Sequence, residues 1–170
     1  MIFESKDFYV DAVDPIDIQE IANVYNSNPE FLMRHTGRDR VTHPWIRNEL
    51  AAMKGAGFVS GKIVEKLSRD IVGVIDFQVA KESYLSLLML HAQAKNRGYG
   101  RQLYEAFEFY ACRHQSTQIR LDVVTDYNDA VLRFWSKSGF HRYKDIELDW
   151  AGVVLPAVVM KKDLRPPELR

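Results

Sequence analysis

The sequence predicts a mixed α/β domain of the α+β class, with about seven strands in a mostly antiparallel sheet and about four helices. Two observations lead to this prediction. The predicted elements run strand, two helices, three strands, helix, strand, helix and two strands, which is not the alternation that builds a parallel sheet. The run Tyr84–Leu90 is strongly apolar, too short for a helix and bounded by polar residues. It is therefore expected to be a central strand buried on both faces.

The first elements are a strand and two helices. Phe8-Tyr9-Val10 predicts a short strand, and the Asn-Ser-Asn-Pro segment at 26–29 is expected to end the helix that Pro15 opens. A second helix is predicted over Pro44–Met53. The first helix buries apolar residues that recur at the three- and four-residue spacing of one face, namely Ile18, Ile21, Ala22 and Tyr25.

The remaining elements alternate strands with two further helices. One helix is predicted from Tyr99 to about Arg113, and another starts at Asn128 and ends at Gly139, where a left-handed cap belongs. The other strands are predicted over residues 58–66, 70–80, 119–124, 140–150 and 155–162. We expect residues 1–164 to form one domain and residues 165–170 a flexible tail.

Length and composition exclude several classes of protein. The chain has 170 residues, 23 basic and 23 acidic side chains, and a formal net charge of zero. Dedicated nucleic-acid binders and polybasic membrane anchors need an excess of cations, so neither partner is expected. The single cysteine, Cys112, excludes an intramolecular disulfide, and the histidines have no metal-ligand spacing, so no metal is expected. With no apolar span and no signal-peptide pattern, the expected location is the cytoplasm.

The zero net charge hides an uneven distribution. Residues 1–33 carry seven acidic side chains and one basic one, Lys6. Residues 83–104 and 130–144 contain no acidic residue at all, although both include lysines and arginines. The sequence thus predicts one anionic region and two cationic ones.

The segment most informative about function joins the apolar strand to the following helix. It reads Lys95-Asn96-Arg97-Gly98-Tyr99-Gly100-Arg101. Glycines let the backbone turn tightly, and the free amides of a first helical turn attract phosphate. A dinucleotide-binding fingerprint fits poorly because Leu103 occupies its third glycine position, and a P-loop lacks its Gly-Lys-Ser/Thr ending.

Two motifs resemble the GNAT family of N-acetyltransferases. Residues 95–100 are similar to its Gln/Arg-x-x-Gly-x-Gly/Ala signature, with Lys95 in place of the first residue. Residues 128–140 resemble its Asn…Ala…Tyr…Lys…Gly-Phe segment, with Trp135 in place of the tyrosine. The predicted order of elements matches the acyl-CoA N-acyltransferase fold over residues 1–164.

The resemblance implies a binding site for acetyl-CoA between two splayed central strands. Backbone groups of Leu88 and Leu90 would hold the pantetheine arm and the thioester, and the amides of residues 95–100 would hold the pyrophosphate. The cofactor-binding residues implied in this way are Leu88, Leu90, Lys95, Asn96, Arg97, Gly98, Tyr99, Gly100, Arg101, Asn128 and Lys137. The cationic windows coincide with this half of the molecule, as a polyanionic cofactor requires.

The catalytic groups follow less directly from the resemblance. The family often uses a tyrosine as the acid for the leaving thiolate, but Trp135 cannot supply a proton at neutral pH; Tyr127 is a neighbouring candidate. A family glutamate that acts as base is replaced by Tyr84, which would relay a proton, and Asp76 is a second candidate because it interrupts an apolar run. Leu88 would contribute its backbone to the reaction.

The expected function is transfer of an acetyl group from acetyl-CoA to a primary amine, by direct attack in a ternary complex. The acceptor is expected to enter between the first helices and the closing strands, both acidic, which favours a cationic amine. A non-catalytic CoA-binding module of the same fold is the alternative, since no base is obvious. Acetyl or a longer acyl group, and a monomer or a homodimer, remain open.

Overall fold

The computed structural model describes residues 1–126, 128–150 and 152–165. In this part of the chain, eight strands and five α-helices are formed. The strands are β1 (Phe3–Glu4), β2 (Phe8–Ala12), β3 (Val59–Glu65), β4 (Ile71–Gln78), β5 (Glu82–Leu90), β6 (Gln118–Val124), β7 (His141–Trp150) and β8 (Val153–Asp163). The helices are α1 (Ile18–Asn26), α2 (Pro29–Thr36), α3 (His43–Gly55), α4 (Tyr99–Arg113) and α5 (Asp129–Lys137).

All eight strands belong to one sheet, in the order β1-β2-β3-β4-β5-β6-β8-β7. Neighbouring strands are antiparallel except β5 and β6, which are parallel. Helix α4 provides the crossover between these two parallel strands, as parallel pairing requires. The mostly antiparallel mixed sheet that the sequence predicts is therefore confirmed.

The parallel pair is short. Only Glu82, Ser83 and Tyr84 of β5 pair with β6, opposite Gln118, Ile119 and Arg120. Beyond Tyr84 the two strands diverge, although each continues pairing on its other side, β5 with β4 and β6 with β8. The sheet therefore opens into a gap between residues 85–90 and residues 121–124.

Helices cover both faces of the sheet with separate apolar cores. On one face, Leu103 and Phe107 of α4 and Trp135 of α5 pack against Ile75 and Phe77 of β4. On the other face, residues of α1, α2 and α3 pack on Val74, Leu87 and Met89. Because side chains alternate along a strand, Asp76 lies between Ile75 and Phe77 on the α1–α3 face.

The counts of strands and helices correct the sequence-based prediction from seven to eight and from four to five. Strand β1 has two residues, Phe3 and Glu4, which is too short to display periodicity. Helix α2 begins at Pro29, although the sequence predicts that the segment 26–29 ends a helix. Proline suits the first turn of a helix because its missing N–H has no partner there, and Asn28 directly precedes it.

No helix in the described residues is long and apolar enough to cross a membrane. The single-domain boundary at residue 164 stays a prediction. Of the predicted flexible tail, residues 166–170 fall outside the described part of the chain.

Gly73 of β4 provides a test of the packing between β4 and β5. A Cβ atom at this position would lie 2.6 Å from the Met89 carbonyl oxygen and 2.9 Å from Ile63 Cδ1. We expect Gly73→Ala to lower the free energy of unfolding by about 1–3 kcal/mol, because the backbone contact cannot yield. In a chain of this size that lowers the melting temperature by roughly 3–10 °C.

Gly55→Ala is the matched control, since a Cβ atom at Gly55 would meet nothing within 4 Å. Alanine favours the helix, so this variant should be as stable as the wild type or slightly more stable. Equal melting temperatures for the two variants would show that the contact at Gly73 is not tight.

Candidate active site

Backbone groups of β5 line one side of the gap. The His91 amide donates to Val72 of β4 at 2.8 Å, so His91 faces away from the gap. Because backbone polar groups alternate in direction along a strand, those of Leu90 and Leu88 face toward it. The sequence-predicted contacts Leu88 and Leu90 therefore lie at the open edge of β5.

The Leu90 carbonyl already has a protein partner. Asn28, which is 4% exposed, donates from Nδ2 to the Leu90 carbonyl at 3.0 Å and to the Val24 carbonyl at 2.9 Å. Its Oδ1 accepts a hydrogen bond from Lys95 Nζ. Asn28 thus joins the α1–α2 turn to the end of β5 and to the loop that follows.

The loop after β5 presents a row of backbone amides at the start of α4. Gly98 caps this helix in the left-handed conformation, with φ +78°, and Asn96 also has a positive φ of 60°. Among the described residues, no partner accepts from the amides of residues 96–101, whereas the Gln102 amide closes the first helical bond to Gly98. Unpaired amides at a helix N-terminus, where the helix dipole is positive, form an anion site.

The cationic side chains near these amides differ in their contacts. Arg97 is exposed, and Arg101 is paired with Glu105 one turn along α4 at 2.8 Å. Lys95 instead turns back to Asn28, and the loss of solvent around its ammonium group lowers its pKa. The loop therefore offers one unpaired arginine beside the amides.

Helix α5 borders the other side of the candidate site. Asn128 caps it by accepting the Ala130 amide at 3.0 Å, and Lys137 is exposed in its last turn. Trp135 lies in the core, 9% exposed, in edge contacts with Tyr104 and Phe140. An indole buried in this way has a packing role. The candidate acid Tyr127 falls outside the described residues.

Tyr84 joins the two strands at the point where the gap begins. Its hydroxyl donates to Asp122 Oδ2 of β6 at 2.6 Å, and Arg120 donates to the same carboxylate from Nε and Nη2 at 3.0 and 3.1 Å. The Arg120 guanidinium also lies over the Tyr84 ring. Burial, followed by the hydrogen bond to Asp122, raises the pKa of Tyr84, so its proton stays on the phenol.

Asp76 lies one strand further from the gap, beneath α1 and α3. It is 4% exposed, and its Oδ1 has no hydrogen-bond partner among the described residues. Burial raises its pKa to about 6; the neighbouring Ser60 hydroxyl opposes this increase in part, and the nearby charge of Glu49 adds to it. Burial also raises the pKa of Glu49 itself. The structure thus brings together the carboxyl groups of Asp76 and Glu49. Of these two, the sequence analysis predicts only Asp76 as a candidate catalytic residue.

Asn28 and Glu49 are the site residues that the sequence-based reading missed. Asn28 lies in the segment that the sequence predicts to end the first helix, and Glu49 lies in a helix whose polar residues give no sign of partial burial. The one signal in the sequence was Asn28-Pro29, a pair that starts a helix as readily as it follows one. Neither residue belongs to the two motifs.

Comparison with known proteins identifies the family. The family model described as "Acetyltransferase (GNAT) family" matches residues 19–140, which is more than two thirds of the chain. No curated protein matches the chain.

Solved structures agree in fold over nearly the whole chain. An acetyltransferase from Thermus thermophilus has 22% identity and a TM-score of 0.73, with 93% of this chain and 97% of that chain covered. The GNAT-family acetyltransferase from Bacillus anthracis has 14% identity and a TM-score of 0.75, with 94% and 96% covered. Spermidine N-acetyltransferase from Vibrio cholerae, solved with CoA and spermine, has 11% identity and a TM-score of 0.73, with 94% and 97% covered.

The gap between β5 and β6, the row of amides at the start of α4 and the matched family model lead to one conclusion: the chain belongs to the GNAT acetyltransferase family, whose members are acyl-CoA-dependent N-acetyltransferases.

Proposed function

We propose that this protein transfers an acetyl group from acetyl-CoA to a primary amine, by direct attack of the amine while both substrates are bound. The observation that carries the proposal is the gap between β5 and β6, which leads directly to the unpaired amides of residues 96–101. An extended chain with hydrogen-bonding groups fits an open strand edge, and its phosphates fit the amides. Pantetheine and pyrophosphate have these properties.

The proposed cofactor site uses groups on both sides of the gap. The amides of residues 96–101 and the side chain of Arg97 bind the pyrophosphate. The backbone of Leu88 and the amide of Leu90 bind the pantetheine arm, since the Leu90 carbonyl is held by Asn28. Asn128 and Lys137 border the site from α5, Lys95 and Arg101 add positive charge, and no metal is needed.

Acetyl-CoA supplies an activated thioester when bound, and the residues of this chain supply orientation and proton transfer. The Leu88 amide faces the gap, where it donates to the thioester oxygen as negative charge develops there. The amine must lose a proton before it attacks. A group at the edge of the gap on the α1–α3 face is needed to take it.

Tyr84 and Asp122 together provide a route for this proton. The amine passes a proton to the Tyr84 oxygen while the phenol passes its own proton to Asp122 Oδ2, along the existing 2.6 Å hydrogen bond. The carboxylate becomes neutral and the amine becomes nucleophilic. Arg120 holds Asp122 in place through two hydrogen bonds. Asp76, the other candidate, is separated from the gap by β5.

The acidic acceptor side supports an amine that carries positive charge. The Vibrio cholerae relative, whose structure contains CoA and spermine, supports the same class of acceptor. Binding of CoA without transfer remains the second candidate function because Trp135 occupies the position of the family tyrosine. Release of free thiol in the presence of an amine separates the two functions.

Gly98→Glu tests the phosphate site. A glutamate side chain there places a negative charge beside the amides, at a residue whose φ of +78° disfavours any side chain. We expect the dissociation constant for acetyl-CoA, measured by isothermal titration calorimetry, to increase at least about tenfold.

Gly37→Glu is the matched control. Gly37 also has a positive φ, +72°, and open space around its Cα, but it caps the C-terminus of α2. It should bind acetyl-CoA as the wild type does. If Gly98→Glu binds acetyl-CoA no more weakly than Gly37→Glu, the pyrophosphate does not lie at residues 96–101.

Tyr84→Phe tests the proton route. Without the phenol oxygen, kcat near pH 7 should fall about 10–100-fold, the usual contribution of a positioned proton acceptor. Affinity for acetyl-CoA should be retained. Because free amines lose their proton near pH 10, the ratio of the variant's rate to that of the wild type should rise as the pH increases.

Tyr143→Phe, at an exposed position on β7, serves as the control for tyrosine removal and should leave kcat unchanged. A Tyr84→Phe variant whose rate is reduced by the same factor at every pH would mean that Tyr84 holds the strands together and takes no part in proton transfer.

A further inference from the structure

One buried carboxylate in the described structure has no cation beside it. Asp17 is paired with Lys62 at 2.6 Å, and Asp122 is paired with Arg120 at 3.0 Å. Asp76 is as buried as these two, yet among the described residues it forms no ion pair, and its closest charge is another acid, Glu49. A buried charge without a partner is costly. A ligand that brings a positive charge would remove this cost.

Three buried polar atoms on this face of the sheet form no hydrogen bond of good geometry, although Ser60 is near enough to Asp76, and Trp150 near enough to Glu49, to lower the pKa of each carboxyl. They are Asp76 Oδ1, Ser60 Oγ and Trp150 Nε1, again among the described residues. Ser60 is directly opposite Asp76 in the β3–β4 pair. Trp150 belongs to β7, but its side chain packs against Phe31 and His35 of α2. Its indole points toward Glu49 and lowers the pKa of that carboxyl.

These groups match the requirements of a primary ammonium. Such a group has three N–H donors, and Asp76, Glu49 and Ser60 provide three separate acceptors. Trp150 directs the N–H edge of its indole toward Glu49 and so helps to position that carboxylate. Glu49 on α3 is only partly buried. A ligand from solvent therefore reaches Asp76 and Ser60 past the Glu49 side chain.

The bound ammonium is not the nitrogen that reacts. Two carboxylates stabilise the charged form, whereas the attacking amine must be neutral. In addition, Asp76 is on β4, opposite Leu87 of β5, while the thioester would lie beyond the far edge of β5. Since strands are about 5 Å apart, the ammonium site lies about 8–10 Å to the side of the gap.

We propose that the acceptor is a diamine, with a second, non-reacting ammonium bound by Asp76, Glu49 and Ser60. This rests on the proposed acetyl transfer and names the class of its acceptor. With one nitrogen at the gap and the other at Asp76, the two are separated by about six or seven carbons, since an extended carbon chain advances about 1.3 Å per bond. The aromatic side chains of Tyr25, Trp45 and Phe31 border the region between α1, α2 and α3.

The other titratable groups on this face do not compensate for Asp76. Tyr25 of α1 is neutral because burial and the charges of Asp76 and Glu49 raise its pKa. His35 of α2 is buried, which lowers its pKa, so it is uncharged at neutral pH. Lys62 of β3 is held by Asp14 and Asp17.

The test compares 1,6-diaminohexane with n-hexylamine, two acceptors of equal length that differ in the second ammonium. Thiol release from acetyl-CoA should give a kcat/KM at least about tenfold higher for the diamine. Asp76→Asn and Glu49→Gln should each reduce this ratio toward one, mainly through the KM for the diamine. Glu65→Gln, at the end of β3 away from Ser60, is the control and should keep the ratio.

Two results would overturn the proposal. Equal kcat/KM values for the two amines in the wild type would mean that no second ammonium is recognised. A loss of rate on both amines by the same factor in Asp76→Asn would assign Asp76 to proton transfer instead. Calorimetric titration of the CoA-bound protein with 1,6-diaminohexane measures the ammonium site without turnover. If diamine binds but no amine releases thiol, the proposed transfer fails while this site stands.

Stability provides a second measurement. The pKa of Asp76 is raised to about 6 from its ordinary 3.8, so between these values the folded chain holds a proton that the unfolded chain releases. The free energy of unfolding therefore decreases as the pH rises from about 4 to 6, because Asp76 loses its proton less readily in the folded chain than in the unfolded chain. Asp76→Asn should remove that decrease and raise the melting temperature at pH 7–8. A lower melting temperature would make Asp76 a structural anchor and contradict the proposal.

Discussion

The short parallel pairing of β5 with β6 is the constraint on which the rest of the site depends. Three residues on each strand pair, and the strands then separate. Backbone groups left unpaired inside a protein are costly, so a gap in the middle of a sheet persists only where water or a ligand can satisfy them. Tyr84, Asp122 and Arg120 join the two strands at the last pair and so mark where the gap begins.

The charged and polar groups on the two sides of the gap differ. On the α4 and α5 side, amides and cations surround the proposed position of the pyrophosphate. On the α1–α3 side lie the carboxyl groups of Asp76 and Glu49, whereas acidic residues of the N-terminal region are paired within the protein, as Asp17 is with Lys62. The two sides of the gap therefore differ in the sign of the charge that they offer a ligand.

Much of the fold and the cofactor half of the site could be predicted from sequence because their signals are local. The apolar run ending at Leu90 and the glycines of 98–100 lie side by side in the chain, and each pattern has a direct physical meaning. The acceptor half depends on contacts between distant elements. Glu49 becomes partly buried because α3 packs on β3, and Trp150, at the end of the edge strand β7, contacts Phe31 of the distant helix α2.

The same difference between local patterns and distant contacts explains why the sequence does not predict the role of Asn28. Asn28 ends one helix and precedes the next, and local propensity gives the same residues for both positions. Only the tertiary contacts show that its side chain donates to two carbonyls, of Val24 and Leu90, and accepts from Lys95.

That double role limits which residues can occupy position 28. Aspartate would place an acceptor against both carbonyls, leucine would leave them and the Lys95 ammonium without a partner, and glutamine has the right groups on a chain one carbon too long. Asparagine has a side chain of the right length that both donates and accepts hydrogen bonds at these fixed positions in the buried turn. Position 28 is therefore restricted by its hydrogen bonds, whereas Gly98 of the more conspicuous loop is restricted by its backbone conformation and has open space around it.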